Sequence, residues 1–256
     1  MIRFSGHVSM LFTDLPALDR PAAAKAAGFS VIESWWPVAD DADAWVGAVE
    51  AAGVGVSCLN ADGGDIAAGE RGFCNLAERD ADTYRAVGEA LRLAMAVGSP
   101  CVNMLPGLVV DDRPREAQVD HAVEVYRALG TMATACNVTI VVEPINAVDV
   151  PAYLLPTPAD VAALLERVAH PSVRMLFDAY HCARAGLDPV AEITRFGHLI
   201  GHAQYADCPG RGAPGTGDVP LDDIVGALAA VGYRGALGME YNPGGPTLDT
   251  LGYLTA

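Results

Sequence analysis

The sequence predicts a single α/β domain over residues 1–256, a closed (β/α)8 (TIM) barrel, and three observations carry that expectation. Eight short apolar runs of strand length alternate with helical segments, the pattern of right-handed βαβ units in a parallel sheet. A length of 256 residues suits one such barrel, and no Ser/Gly-rich or charged linker divides it. The alternative, an open doubly wound sheet, is weakened because no Gly-x-Gly-x-x-Gly follows the first strand, which instead runs into Leu11-Phe12-Thr13-Asp14.

Taken in order, residues 5–12 read as the first strand, followed by a helix over 15–27 that stops at Gly28. A second strand spans 31–36. A helix over 41–52 is closed by Gly53, and residues 54–60 return as the third strand. The loop at 61–76 carries Gly63, Gly64, Gly69 and Gly72 and is too long to be a mere connector. A helix over 81–97, a strand at 101–105 and a helix over 114–136 lead to the fifth strand, 139–143. Thr157 reads as an N-cap with Pro158 in the first turn of a helix reaching 169. Strands at 173–178, 200–204 and 235–240 alternate with helices over 188–196 and 221–231. Only residues 247–256 remain for the last helix, which is expected to be short or missing.

The last four strands share a feature that organises the chain. Each carries one oxygen-bearing side chain at or near its C-terminal end: Glu143, Asp178, Gln204 and Glu240. In a parallel barrel these ends share one rim, where such enzymes place their chemistry. Burying three carboxylates together is costly without a compensating cation, so the ring implies a hard divalent metal held by oxygen ligands. The absence of thiolate donors from that ring favours Mg²⁺ or Mn²⁺ over zinc. One acidic residue at a strand end reads more simply as the cap of the next helix; four at equivalent positions reverse that balance. An α-hydroxy carbonyl compound held over such a metal would have an acidified C–H, and a carboxylate beside it could take the proton to give an enediolate.

Composition narrows the partners. A net charge of -16 repels nucleic acid and anionic lipid, so neither is expected as a partner. The apolar fraction of 52% is ample for a large core, but no apolar run is long enough to cross a bilayer, and the first seven residues lack a signal-peptide pattern; the expected location is cytoplasmic. The single lysine, Lys25, lies in a helical stretch, which disfavours Schiff-base chemistry. Six scattered cysteines with no Cys-x-x-Cys pair read as free thiols.

Several stretches together, Leu11-Phe12-Thr13, the loop from Gly64 to Gly72, Val142-Glu143-Pro144-Ile145-Asn146, Phe177-Asp178-Ala179-Tyr180-His181, Gln204 to Arg211, and Gly238-Met239-Glu240-Tyr241, are similar to the hydroxypyruvate isomerase family of xylose isomerase-like barrels. The similarity covers essentially the whole chain. It implies that Glu143 and Glu240 are the acid/base pair, that Glu143, Asp178, Gln204 and Glu240 hold the metal, and that a small sugar acid, hydroxypyruvate or a 2-oxo-tetronate, is the substrate. The chain departs from the family at Gly212-Ala213-Pro214, where relatives often have His-Glu-Pro, and at Ala147-Val148, where many have an arginine; both changes bear on the substrate more than on the reaction.

Supporting roles follow more loosely. His181 is expected to donate to a substrate oxygen, or else to satisfy backbone. Arg211 is placed to pair with a substrate carboxylate, and Glu70 and Arg71 either close over the site as a lid or form an ion pair that fixes the loop. Asn60 is expected to reach the substrate, and Trp35-Trp36 to wall the pocket or pack on a helix. His7 and His202 read more simply as core histidines than as ligands, but His202 shares strand parity with Gln204 and is counted with the candidate substrate-binding residues. A ketose 3-epimerase on the same barrel is disfavoured by Gln204, where such enzymes usually have histidine. A non-catalytic sugar-acid binder would have no use for paired glutamates, and a barrel endonuclease would need a histidine-rich zinc cluster and a basic groove. A homo-oligomer is compatible with the sequence.

Overall fold

A computed structural model describes residues 2–37 and 41–254; Met1 and the last two residues of the C-terminal segment lie outside the described residues. Eight parallel strands close into a barrel in the order β1 to β8: β1 (Arg3–His7), β2 (Val31–Ser34), β3 (Gly55–Asn60), β4 (Cys101–Asn103), β5 (Thr139–Val142), β6 (Val173–Asp178), β7 (Ile200–Tyr205) and β8 (Ala236–Met239). Around them lie α1 (Arg20–Ala26), α2 (Ala42–Ala52), α3 (Asp80–Val97), α4 (Arg115–Ala135), α5 (Pro158–Val168), α6 (Ala179–Arg184), α7 (Pro189–Phe196) and α8 (Leu221–Ala230).

The alternation of side chains along each strand divides the core in two. Ile32, Leu59, Val102, Ile140, Met175 and Leu237 pack outward against helix residues such as Val87, Tyr126, Leu129, Leu164, Ile193 and Leu228. A separate small cluster, Cys58, Cys101, Val141 and Leu176, plugs the barrel. All six cysteines are free.

Local chemistry sets the helix ends. Gly53 and Gly98 take left-handed conformations after α2 and α3, and Asp41 caps α2 by accepting from the Ala44 N–H. Before α5, Thr157 accepts from the Asp160 N–H at 3.2 Å while Asp160 accepts from the Thr157 N–H at 3.1 Å, a closed capping box.

The structure revises several boundaries. β1 ends at His7, because the chain turns there: the Met10 and Leu11 N–H groups both donate to the His7 carbonyl, and Phe12 adopts φ +58. Leu11 and Phe12 are buried without belonging to a strand, so their apolar character reports packing and not pairing. The helix expected from residue 15 begins only at Arg20, after two turns around Pro16. β2 stops at Ser34, leaving Trp35 and Trp36 in a bend. A helix absent from the sequence reading, α6, starts directly after Asp178, whose side chain accepts from the Tyr180 N–H. Past β8 the described chain forms two 3-10 turns, Thr247–Thr250 and Gly252–Leu254, in keeping with a missing last helix.

Thr157→Ala should remove one half of the capping box and cost about 1 kcal/mol. For a chain of this size that is a fall of about 2–4 °C in thermal midpoint, measurable by circular dichroism.

Candidate active site

Strand register brings the four oxygen-bearing side chains singled out in the sequence to one rim. Asp178 on β6 stands opposite Gln204 on β7, which stands opposite Gly238 on β8. Two residues beyond Gly238, the Glu240 N–H donates to the Tyr205 carbonyl, while Glu143 directly follows β5. All four residues are buried, none more than 5% exposed. A cavity of about 600 Å³ opens above them, and Glu143 and Glu240 form part of its wall together with His181 and Arg211. Asp178 and Gln204 do not reach that wall.

The carboxylates are held by unequal partners. Glu143 accepts from the Asn103 amide at 2.8 Å. Glu240 accepts from the Trp35 indole N–H at 2.6 Å, and lies 3.4 Å from His7 Nε2 and 2.9 Å from the Arg211 guanidinium. Arg211 also stands 3.7 Å from Asp178 Oδ2. Burial, with Glu240 and Asp178 nearby, pushes the Glu143 carboxyl well above the ordinary range. Burial pushes Asp178 up to about 7 in spite of Arg211. At Glu240 burial acts in the same sense, but Arg211, His7 and the Trp35 donor outweigh it and hold this carboxyl below its ordinary value. The two glutamates are thus differentiated, one toward acid and one toward base.

His181 has a definite tautomer. Asn146 Oδ1 accepts from the Val148 and Asp149 N–H groups, which fixes the amide so that its NH2 donates to His181 Nδ1 at 2.7 Å. The imidazole proton therefore sits on Nε2, which lies 3.7 Å from both Glu143 Oε1 and Asp178 Oδ2. Burial, reinforced by Arg211, lowers this histidine to about 3, so it stays neutral. Glu143, Asp178 and His181 offer ligand-type atoms all within 4.8 Å of one another. Because His181 Nε2 carries a proton, the histidine suits hydrogen-bond donation better than metal ligation.

The remaining expected residues divide. Asn60 and Arg71 line the cavity, as do Trp35, Trp36, Ile66, Leu105 and Ile145. Glu70 does not: it accepts from the Asp65 N–H at 2.7 Å and pairs with Arg79 at 3.2 Å, bracing the loop from within. The expected Glu70–Arg71 ion pair is replaced by that Arg79 contact, while Arg71 donates to the Ile66 and Glu70 carbonyls. His202 is buried with Nε2 2.7 Å from Glu33 Oε2, and is not part of the cavity wall. Arg211 reaches the carboxylate ring itself, from a backbone at φ +51 whose carbonyl accepts from the Asn242 N–H. Sequence reasoning missed Asn103 and Glu33. Asn103 ends β4, the same position on its strand that singled out the ring, and could have been found by extending that rule to amides.

Residues 21–256 match the family model of the xylose isomerase-like TIM barrel. The chain belongs to that family. It is 34% identical over 254 residues to the 2-oxo-tetronate isomerase of Cupriavidus necator, covering 99% of this chain and 98% of that protein. It is 30% identical over 243 residues to the hydroxypyruvate isomerase of Escherichia coli, covering 95% and 94%. The crystal structure of a protein from Brucella melitensis, described as an AP endonuclease of family 2, superposes with a TM-score of 0.95 at 29% identity, covering 100% and 98%.

The donor set fits a divalent cation. Asp178 Oδ2, Gln204 Oε1 and Glu240 Oε2 are buried oxygens without a hydrogen-bond partner; the Arg211 contact to the last is an ion pair lacking hydrogen-bond alignment. Three carboxylates against one guanidinium leave a formal deficit of two positive charges. Hard oxygen donors with that deficit suit a hard divalent cation.

Stability should register this. Asp178 has an ordinary value of 3.8 and a folded value of about 7, so across that window the folded chain keeps a proton that the unfolded chain has released. The associated stability is complete below the lower value and is lost as pH rises through the upper one. Metal-free protein should therefore lose thermal midpoint between pH 4 and 7, Asp178→Asn should flatten part of that fall, and added Mn²⁺ should raise the midpoint more at pH 7 than at pH 5. Differential scanning fluorimetry across pH, with and without Mn²⁺, measures all three.

Proposed function

We propose that the protein is a metal-dependent isomerase of a small sugar acid, interconverting hydroxypyruvate and tartronate semialdehyde. The observation that carries this reading is the pair Glu143 and Glu240, both buried and both facing one cavity at the same rim of the barrel. The full-length relatives named as hydroxypyruvate and 2-oxo-tetronate isomerases support the same chemistry.

Glu143, Asp178, Gln204 and Glu240 would hold the Mg²⁺ or Mn²⁺ ion, which when bound supplies Lewis acidity to an α-hydroxy carbonyl group. Glu240, kept anionic by Arg211, His7 and Trp35, takes the proton from C3 of hydroxypyruvate. Glu143, on the same cavity wall, returns a proton to C2 on the other side of the enediolate. The His181 Nε2–H donates to an enediolate oxygen, its orientation fixed through Asn146. In the reverse direction the two glutamates exchange roles.

Arg71 is the residue that would select an acid. It lines the cavity, donates to two loop carbonyls through Nη1, and has no carboxylate partner among the described residues. A substrate carboxylate can take the rest of its guanidinium. Arg211 is less free for that role, being engaged by Glu240 and Asp178. A 2-oxo-tetronate is the second reading, favoured by a cavity of about 600 Å³, which a three-carbon acid leaves largely unfilled.

Protein loaded with Mn²⁺ and incubated with hydroxypyruvate in D₂O should give product carrying solvent deuterium by NMR. If hydroxypyruvate, the tetronates and ketoses all remain without turnover or exchange, the isomerase reading is lost. Glu143→Gln and Glu240→Gln should each lower kcat by about 10²–10⁴-fold. Arg71→Gln should raise KM for hydroxypyruvate by about tenfold or more, as expected for a lost charge-assisted hydrogen bond, and leave a neutral α-hydroxy ketone unaffected.

A further inference from the structure

A polar group with no contact to the cavity sits directly behind the ligand ring. Glu33, on β2, is 1% exposed, yet it is not part of the cavity wall. Its Oε2 is 2.7 Å from His202 Nε2, and its Oε1 accepts from the Gln204 side-chain NH2 at 2.9 Å. Ser57 Oγ adds a weaker contact to Oε2 at 3.4 Å. The space for this carboxylate is made by Gly238 on β8, where any Cβ would overlap Glu33 Oε1. Gly238 stands opposite Gln204 in the sheet, so the glycine opens room for the acid beside the amide that the acid touches.

The consequence concerns which end of the Gln204 amide faces the ring. A glutamine side chain presents an acceptor oxygen and a donor nitrogen of nearly equal size, and only its surroundings decide between two orientations related by a half-turn. Glu33 decides here. Its Oε2 is committed to His202, and whichever partner of that pair holds the proton, Oε1 is left as an acceptor. An acceptor can only take the amide NH2, so the Gln204 oxygen is turned the other way. That oxygen is one of the buried atoms without a hydrogen-bond partner, as Asp178 Oδ2 and Glu240 Oε2 also are.

We propose that Glu33, fixed by His202 and accommodated by Gly238, is a positioning residue that locks Gln204 with its oxygen presented as a metal ligand. Without it the amide can reverse and present its NH2 group, whose nitrogen lone pair is delocalised into the carbonyl and cannot ligate the cation. The proposal rests on the reading of Gln204 as a ligand, and the test separates the two.

The experiment uses metal-free full-length protein, Mn²⁺ as the probe, and four forms: wild type, Glu33→Gln, Gln204→Ala and the double variant. Mn²⁺ affinity is measured by titration calorimetry and electron paramagnetic resonance. Glu33→Gln should weaken Mn²⁺ about 10-fold or more, the usual cost of losing a partner that orients a ligand. Gln204→Ala should weaken it at least as much, and the double variant should match Gln204→Ala alone, since the acid acts only through the amide.

A metal-free readout runs in parallel. The chain has only two glutamines, Gln118 and Gln204, so glutamine-selective 15N labelling yields two side-chain NH2 signals. The Gln204 signal, identified by its loss in Gln204→Ala, should move in Glu33→Asp, which adds no glutamine, whereas Glu33→Gln adds a third NH2 signal of its own. The Gln118 signal should stay, because that amide is fixed by the Val110 and Arg113 carbonyls on the outside of the barrel, and it reports that the fold is intact. Where Glu33→Gln does not fold, Glu33→Asp, which keeps the charge and withdraws the carboxylate by one methylene, carries the same expectations. An unmoved Gln204 signal with wild-type Mn²⁺ affinity in the Glu33 variants, or additive losses in the double variant, overturns the proposal. Wild-type affinity in Gln204→Ala overturns instead the assignment of Gln204 as a ligand.

Discussion

Three carboxylates buried at one rim of a closed barrel are the constraint on which the rest of the structure depends. The frame leaves them no alternative. Parallel strands place equivalent residues at equal height, and the apolar layer between barrel and helices excludes water from behind them. Like charges in such a place raise one another's proton affinity unless something answers them. Each neighbouring feature can be understood as a partial answer: Arg211 between Glu240 and Asp178, Asn103 on Glu143, the Trp35 indole on Glu240, and the α6 backbone on Asp178.

These answers are distributed unevenly, and the unevenness is what makes the site chemically useful. Uniform neutralisation would give three ordinary carboxylates, whereas concentrating Arg211, His7 and Trp35 on Glu240 leaves Glu143 to be governed by burial. Arg211, which helps to depress Glu240, also helps to keep His181 neutral, which preserves an N–H donor between two acids and avoids a competing salt bridge. A network running from Arg184 through Asp149 and Asn146 holds that donor in place from the far side. The site is thus two-layered, with one set of groups adjusting charge and another adjusting orientation.

How much of this was legible in the sequence depends on the kind of signal. β6 and the start of α5 were read to the residue because each is bounded by local chemistry: an apolar run ending in Asp178, and a Thr157 cap followed by Pro158. Residues 8–12 were misread as strand because burial and sheet pairing leave the same apolar trace, and only the turn at His7 separates them. The convergence of four side chains on one rim was legible because four polar residues broke four apolar strands at the same place. Arg211 was noticed but not its partners, since its position among the carboxylates depends on a left-handed backbone that a non-glycine residue does not advertise. Glu33 was invisible for a further reason. Its partners are 169 and 171 residues away, and the glycine that makes room for it lies on a different strand.

The division between rigid chemistry and variable recognition follows from where each group is mounted. Glu143 and Glu240 and the residues that hold them stand on strand ends or immediately beyond them, fixed by the barrel's own register. The cavity wall above is built from loop residues: Trp35 and Trp36 after β2, the 61–76 loop after β3, and Ile145 after β5. Within that loop Gly72 lies against the Leu105 carbonyl at φ +83, a place no side chain can enter, so the segment carrying Arg71 is seated on the β4 exit and not left loose. Substitutions in the apolar wall can therefore change what fits above the ring without disturbing the charges beneath it. One barrel can in this way retain a fixed set of buried carboxylates beneath a wall whose shape and polarity vary.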